Sequence, residues 1–137
     1  ASDVYKRQLM ACEFEEHLTS FLPYNSDFYL SKERNIQVVG TSGTITTIGA
    51  VHLGLKKYDR AQVDGLKLTG NEVENVVAEL FRMGPIGRKK NPAIGASRCD
   101  FIIPGVAIIQ TVLGSWHGNQ MCIADRGLRD GILHSLI

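Results

Sequence analysis

Apolar residues recur along the chain with two different spacings, and their alternation predicts strands interleaved with helices. Phe14, Leu18, Phe21 and Leu22 fall at helical spacing, with Pro23 as a stop. A polar and aromatic connection follows over 23–34. Ile36 to Val39 is a short β-branched run closed by Gly40, which predicts a buried strand. From Thr44 the rhythm becomes helical, with Ile45, Ile48, His52 and Leu55 on one side. Gly49 and Gly54 each cost that helix about 1 kcal/mol against Ala, so they imply close packing on a sheet.

Val63 to Leu68 reads as a short edge strand. Thr69 with Glu72 three residues later forms a capping box, and Val73, Val76, Val77 and Leu80 make one apolar stripe. They predict the clearest helix of the chain, ended by Gly84-Pro85. A second cap at Ser97, with Asp100 at the third helical position, opens the buried run FIIPGVAIIQTVL. Pro104 lies too deep for a first turn there and predicts a kink. Met121 to Ala124 is a further short strand, and Leu128, Ile132 and Leu136 space out a last amphipathic helix.

Strands alternating with helices predict an α/β fold, a short parallel or mixed sheet covered by helices. The strands are too few for a stable sheet with two covered faces, so the fold is expected to be incomplete. A length of 137 residues suits one domain or a piece of a larger one. The chain is 44% hydrophobic and 21% charged with a net charge of +1, the balance of a soluble globular protein. Beyond Arg88-Lys89-Lys90 it has no basic run, and so lacks the clustered positive surface of a sequence-independent DNA or RNA binder.

Cys12, Cys99 and Cys122 are odd in number, far apart and without CxxC spacing, which indicates neither a disulfide framework nor a zinc knuckle and suits the cytoplasm. The apolar stretch Phe101 to Trp116 is interrupted by Pro104, Gly105, Gln110, Gly114 and Ser115 and falls short of a membrane span. The start ASDVYKRQ carries no Met and no secretion signal. Residues 1–8 are read as a junction or disordered, with the fold beginning at residue 9.

Three groups of residues could carry chemistry. Gly40-Thr41-Ser42-Gly43-Thr44 joins a strand to a helix, where backbone N–H groups point outward at the positive helix end. Glycine permits close backbone approach, and the hydroxyls add donors. An anion cradle and an ordinary Thr-capped turn fit this spacing equally. The turn is neither a Walker A loop nor a dinucleotide fingerprint, since no Gly-Lys-Ser/Thr and no third glycine follow.

Asp125 to Gly131 (DRGLRDG) follows a strand and opens a helix, at the sheet edge where open α/β proteins bind ligands. Simple capping by Asp125 and Asp130, with Arg126 and Arg129 in solvent, accounts for it as well. Arg98 offers a fork suited to phosphate, or to a surface carboxylate. His17, His52, His117 and His134 show no metal-ligand spacing; His52 reads as a packing residue and Trp116 as a boundary anchor. No catalytic residue and no metal ligand is indicated.

The stretches VVGTSGTITTIGAVHLGLKKYDRAQVDG, SRCDFIIPGVAII and IADRGLRDGIL, in this order over Gln37 to Leu133, resemble the exopolyphosphatase/guanosine pentaphosphate phosphatase (Ppx/GppA) family. The resemblance implies an actin-like (ribonuclease H-like) two-lobed ATPase fold, with residues 9–137 forming the later part of the second lobe. It implies that Gly40, Thr41, Ser42, Gly43 and Thr44 bind phosphate, with Arg98 near the substrate and Asp125 and Arg129 in support. The first-lobe hairpin, the catalytic glutamate, the Mg²⁺-binding acid and a glycine-rich hairpin of the second lobe have no counterpart here. The parent is expected to release terminal phosphate from polyphosphate or guanosine pentaphosphate with Mg²⁺, its missing first lobe as partner, and this piece alone is expected to be inactive. A homodimer of the parent is compatible with the resemblance. The rival readings are another actin-like phosphotransferase, of sugar-kinase type, and a noncatalytic phosphate- or nucleotide-sensing module.

Overall fold

The computed structural model describes residues 2–20, 37–115 and 120–137. Its elements are α1 (Ser2–Thr19), β1 (Val38–Gly40), α2 (Gly43–His52), α3 (Arg60–Val63), β2 (Lys67–Thr69), α4 (Gly70–Lys90), a 3-10 turn (Cys99–Phe101), α5 (Ile102–Ser115), β3 (Gln120–Ile123) and α6 (Leu128–Ser135). Phe21, Leu22, Pro23, Ile36, Trp116 and His117, used in the sequence reading, lie outside the described residues.

The sheet is mixed, in the order β1-β3-β2. β3 is central: it runs parallel to β1, pairing Gly40 with Ile123, and antiparallel to β2, pairing Leu68 with Met121. Because side chains alternate along a strand, Leu68, Met121 and Ile123 share one face, and all three are buried. Ile48, Val63, Val73, Leu80, Ile102 and Val106 complete the core on that side. The opposite face carries Val39, Cys122 and Lys67. Val39 is 51% exposed there, so β1 is not the buried strand its β-branched run predicts.

Helix α4 follows its sequence closely. Thr69 Oγ1 accepts from Glu72 N at 3.2 Å while Glu72 Oε2 accepts from Thr69 N at 2.8 Å, a complete capping box. Val73, Val76, Val77 and Leu80 are all buried. In α2, a Cβ on Gly49 would fall 2.7 Å from Ile123 Cδ1, so the helix does lie hard against the sheet at this glycine. Gly54 has another role. Leu55 N donates to Ala50 O and Gly54 N to Val51 O, each at 3.0 Å, with Gly54 at φ 63: a Schellman ending of the helix. His52, at the end of α2, is exposed rather than packed and stands 4.0 Å from Glu72.

Several boundaries differ from expectation. The predicted helix around Phe14 extends back to Ser2, so residues 2–8, which the sequence reads as a junction or disordered, instead form its first turns against α5. The edge strand begins at Lys67 instead of Val63, because Arg60–Val63 forms a short helix capped by Asp59. Gly84, at φ 65 and ψ 177, is not helical, so the first helical stretch of α4 does end at Gly84-Pro85, as its sequence predicts. Pro85 then starts a second helical stretch to Lys90, a first position that needs no N–H.

Pro104 is the third residue of α5, still within the first turn, so no kink is needed. Ser97 makes no cap: the 3-10 turn precedes α5, and its cap position, Arg98, makes no side-chain hydrogen bond to it. Among the described residues no helix is long and apolar enough to cross a membrane.

Candidate anion-binding site

Parallel pairing of β1 and β3 places Gly40 and Ile123 side by side, so the chain leaves both strands at the same sheet edge. The turn Thr41–Gly43 and the segment 124–130 therefore form facing walls of one cleft, of about 400 Å³. Open α/β sheets bind ligands at this kind of edge.

One wall is the start of α2. Ser42 Oγ accepts from Ile45 N at 3.3 Å and Ser42 O from Thr46 N at 3.0 Å. The N–H groups of Gly43 and Thr44, first in the helix, have no partner within it. The first turn contains no acidic residue, so its partial positive charge is not offset locally. Thr46 and Thr47 turn their hydroxyls back to Gly43 O, at 3.1 and 2.8 Å.

The other wall is held in place by carboxylates. Asp64 accepts from Asp125 N at 2.9 Å and pairs with Arg126 at 3.1 Å. Asp130 accepts from Gly127 N at 2.9 Å and pairs with Arg60 at 3.3 Å. That backbone bond, reinforced by the Arg60 charge, holds the Asp130 carboxyl below its ordinary range, so it is ionised. Arg60 also donates to Asp125 O, and its Nε lies 3.7 Å from Asp125 Oδ2. Tyr58 donates its hydroxyl to Asp125 Oδ2 at 2.5 Å. Burial, then the Asp125 hydrogen bond and charge, push the Tyr58 phenol up to about 12, so it stays a neutral donor.

Four arginines and two aspartates line the cleft. Arg60 and Arg126 are engaged as described. Arg98 and Arg129 have no carboxylate partner among the described residues. The Arg98 guanidinium lies 5.8 Å from the centre of the Tyr58 ring. Two uncommitted forks facing a helix start suit an oxyanion with several acceptor atoms.

Of the residues singled out by the sequence, the structure gathers Thr41, Ser42, Gly43, Arg98, Asp125 and Arg129 around the cleft. Gly40 and Thr44 are not among them. A Cβ on Gly40 would fall 2.1 Å from Ile45 Cδ1, and one on Gly105 would fall 2.1 Å from Thr44 Oγ1. Both residues face internal packing and an apolar groove beside α5. Tyr58, Arg60 and Thr46 also line the cleft without having been singled out. Tyr58 and Arg60 sit in the YDR of the stretch after α2, where no periodicity marks them.

The chain matches the model of the Ppx/GppA phosphatase family over residues 6–137. A curated putative exopolyphosphatase of Haemophilus influenzae is 28% identical over 99 residues, which is 72% of this chain and 29% of that protein. The crystal structure of an Aquifex aeolicus Ppx/GppA family member superposes with a TM-score of 0.69 at 26% identity, covering 89% of this chain and 40% of that one. An exopolyphosphatase from Cytophaga hutchinsonii gives a TM-score of 0.78 at 18% identity, covering 96% and 41%, a likeness of fold alone. The chain thus spans well under half the length of these relatives.

Proposed function

The chain belongs to the Ppx/GppA phosphatase family, and from that premise we propose that it supplies the second-lobe phosphate grip of an exopolyphosphatase-type phosphohydrolase. Its fold is an incomplete α/β lobe of the actin-like kind. The observation that carries the proposal is the pairing of the positive start of α2, which no first-turn acid offsets, with Arg98 and Arg129, two guanidiniums without carboxylate partners among the described residues. In this reading the N–H group of Gly43 and the Ser42 hydroxyl hold one phosphate, while the arginines take oxygens of that phosphate or its neighbour. The parent would act on polyphosphate or guanosine pentaphosphate in the cytoplasm, with the first lobe closing over the cleft.

The Mg²⁺ that such a hydrolase uses does not fit this chain's own residues. Asp125 and Asp130 are both committed to Arg60, and among the described residues no group of three or more His, Cys, Asp or Glu side chains is placed to hold a metal. Hydrolysis also needs a base to orient water, and neither cleft aspartate is uncommitted. The chain alone is therefore proposed to bind phosphate chains without cleaving them.

Calorimetric titration of inorganic tripolyphosphate into the 137-residue chain tests this. Binding is expected, weakened about tenfold by Arg98→Ala, the scale of one charge-assisted hydrogen bond. Binding unaffected by Arg98→Ala and Arg129→Ala would sink the reading. In a full-length protein, transfer of phosphate to an alcohol instead of water would mark a kinase.

A further inference from the structure

We propose that Tyr58 is the positioning residue of this cleft: its ring aims the Arg98 guanidinium, and its hydroxyl, bound to Asp125, sets the ring. The inference rests on the reading of the cleft as an anion site. Arg98 comes from the stretch of turns between α4 and α5 and has no carboxylate partner among the described residues. A long side chain in that position has many rotamers, and each unproductive one costs affinity. The Tyr58 ring, 5.8 Å from Arg98 Cζ, restrains the planar fork through its face without consuming any N–H donor. A carboxylate in the same place would hold Arg98 more firmly but would also neutralise it.

Tyr58 is itself well placed for this work. Its own segment has no regular structure, yet its hydroxyl is tied to Asp125 Oδ2 at 2.5 Å. Asp125 is in turn fixed by its backbone N–H to Asp64 Oδ1 at 2.9 Å and by the Arg60 charge. One side chain thus couples the loop after α2, the end of β3 and the 3-10 turn before α5. The bond to Tyr58 and the Arg60 pair also occupy Asp125, which leaves Arg98 uncommitted. The phenol, raised to about 12, remains protonated and keeps donating throughout the neutral range.

Tripolyphosphate titrations of Tyr58→Leu, Tyr58→Phe, Arg98→Ala and the Tyr58→Leu/Arg98→Ala pair test the proposal, with far-UV circular dichroism confirming each fold. Tyr58→Leu is expected to weaken binding about as much as Arg98→Ala, about tenfold, whereas Tyr58→Phe, which keeps the ring, loses about threefold at most. The double variant should be no more than about twofold weaker than either single one, because both remove the same interaction. Full additivity, or equal losses for Phe and Leu at position 58, overturns the proposal. If Tyr58→Leu unfolds, Tyr58→Met carries the same comparison. An Arg98→Ala variant that binds normally would remove the anion site itself. Weakened Arg98→Ala with unchanged, folded Tyr58→Leu removes only the positioning role.

Discussion

Helices α2 and α4 both leave the end of a strand behind a hydroxyl cap, yet they handle the positive charge of their first turn in opposite ways. At α4, Glu72 turns back on Thr69, and the reciprocal bonds of 2.8 and 3.2 Å close the helix end on itself. The Thr69 N–H holds the Glu72 carboxyl below its ordinary range, so a full negative charge sits on the dipole. At α2 the cap bond is longer, 3.3 Å, no acid follows in the first turn, and two arginines without carboxylate partners among the described residues add positive charge nearby. A closed helix end is architecture; one left short of negative charge can take it from a ligand.

The sharpest way to break this contrast is to give α2 the acid it lacks. Gly43 has open space at its Cβ position and no positive φ, so Gly43→Asp fits. It should abolish measurable tripolyphosphate binding by calorimetry, a loss of at least about tenfold, while the melting temperature holds or rises, since an acid in a first turn contributes about 0.3–1 kcal/mol. Retained affinity would show that the α2 start is no more open than α4. Conversely, Thr69→Ala should cost about 1 kcal/mol in urea unfolding and leave anion affinity unchanged.

The smallest expected effect concerns pH. The folded Glu72 carboxyl is depressed below 4.5, so its contribution is fully present above its unfolded value and lost as pH falls through the folded one. Acid unfolding of Glu72→Gln should accordingly be less steep below pH 4.5 than that of the parent chain.

The same contrast explains how much was legible in the sequence. The α4 start was readable because both halves of its cap lie three residues apart, and Val73, Val76, Val77 and Leu80 repeat at helical period. The glycine turn was readable as a turn, and as a place where an anion could sit, for the same local reason. Its actual surroundings were not. Tyr58 meets Asp125 across 67 positions and Arg60 meets Asp130 across 70, from a stretch with no periodicity to mark its inward residues. Gly40 and Thr44 looked like ligand contacts because the motif is contiguous, but only its middle, Thr41 to Gly43, lines the cleft, and its two ends turn to internal packing. Ile45 and Gly105 claim those two. Pro104 misled because the chain enters α5 through a 3-10 turn, which moves the helix start beyond Ser97.

The central position of β3 also bears on when the cleft can exist. Among the described residues β1 and β2 do not pair with each other; each pairs with the strand at Gln120–Ile123, the latest of the three to leave the ribosome. Helix α4 can form early from contacts within its own span, but the sheet must wait for partners many tens of residues apart. Both cleft walls hang from that late pairing, so on a growing chain the anion grip is assembled in one step, only once residues 120–123 have emerged. A ribosome stalled before residue 120 would therefore carry every glycine of the turn and no site.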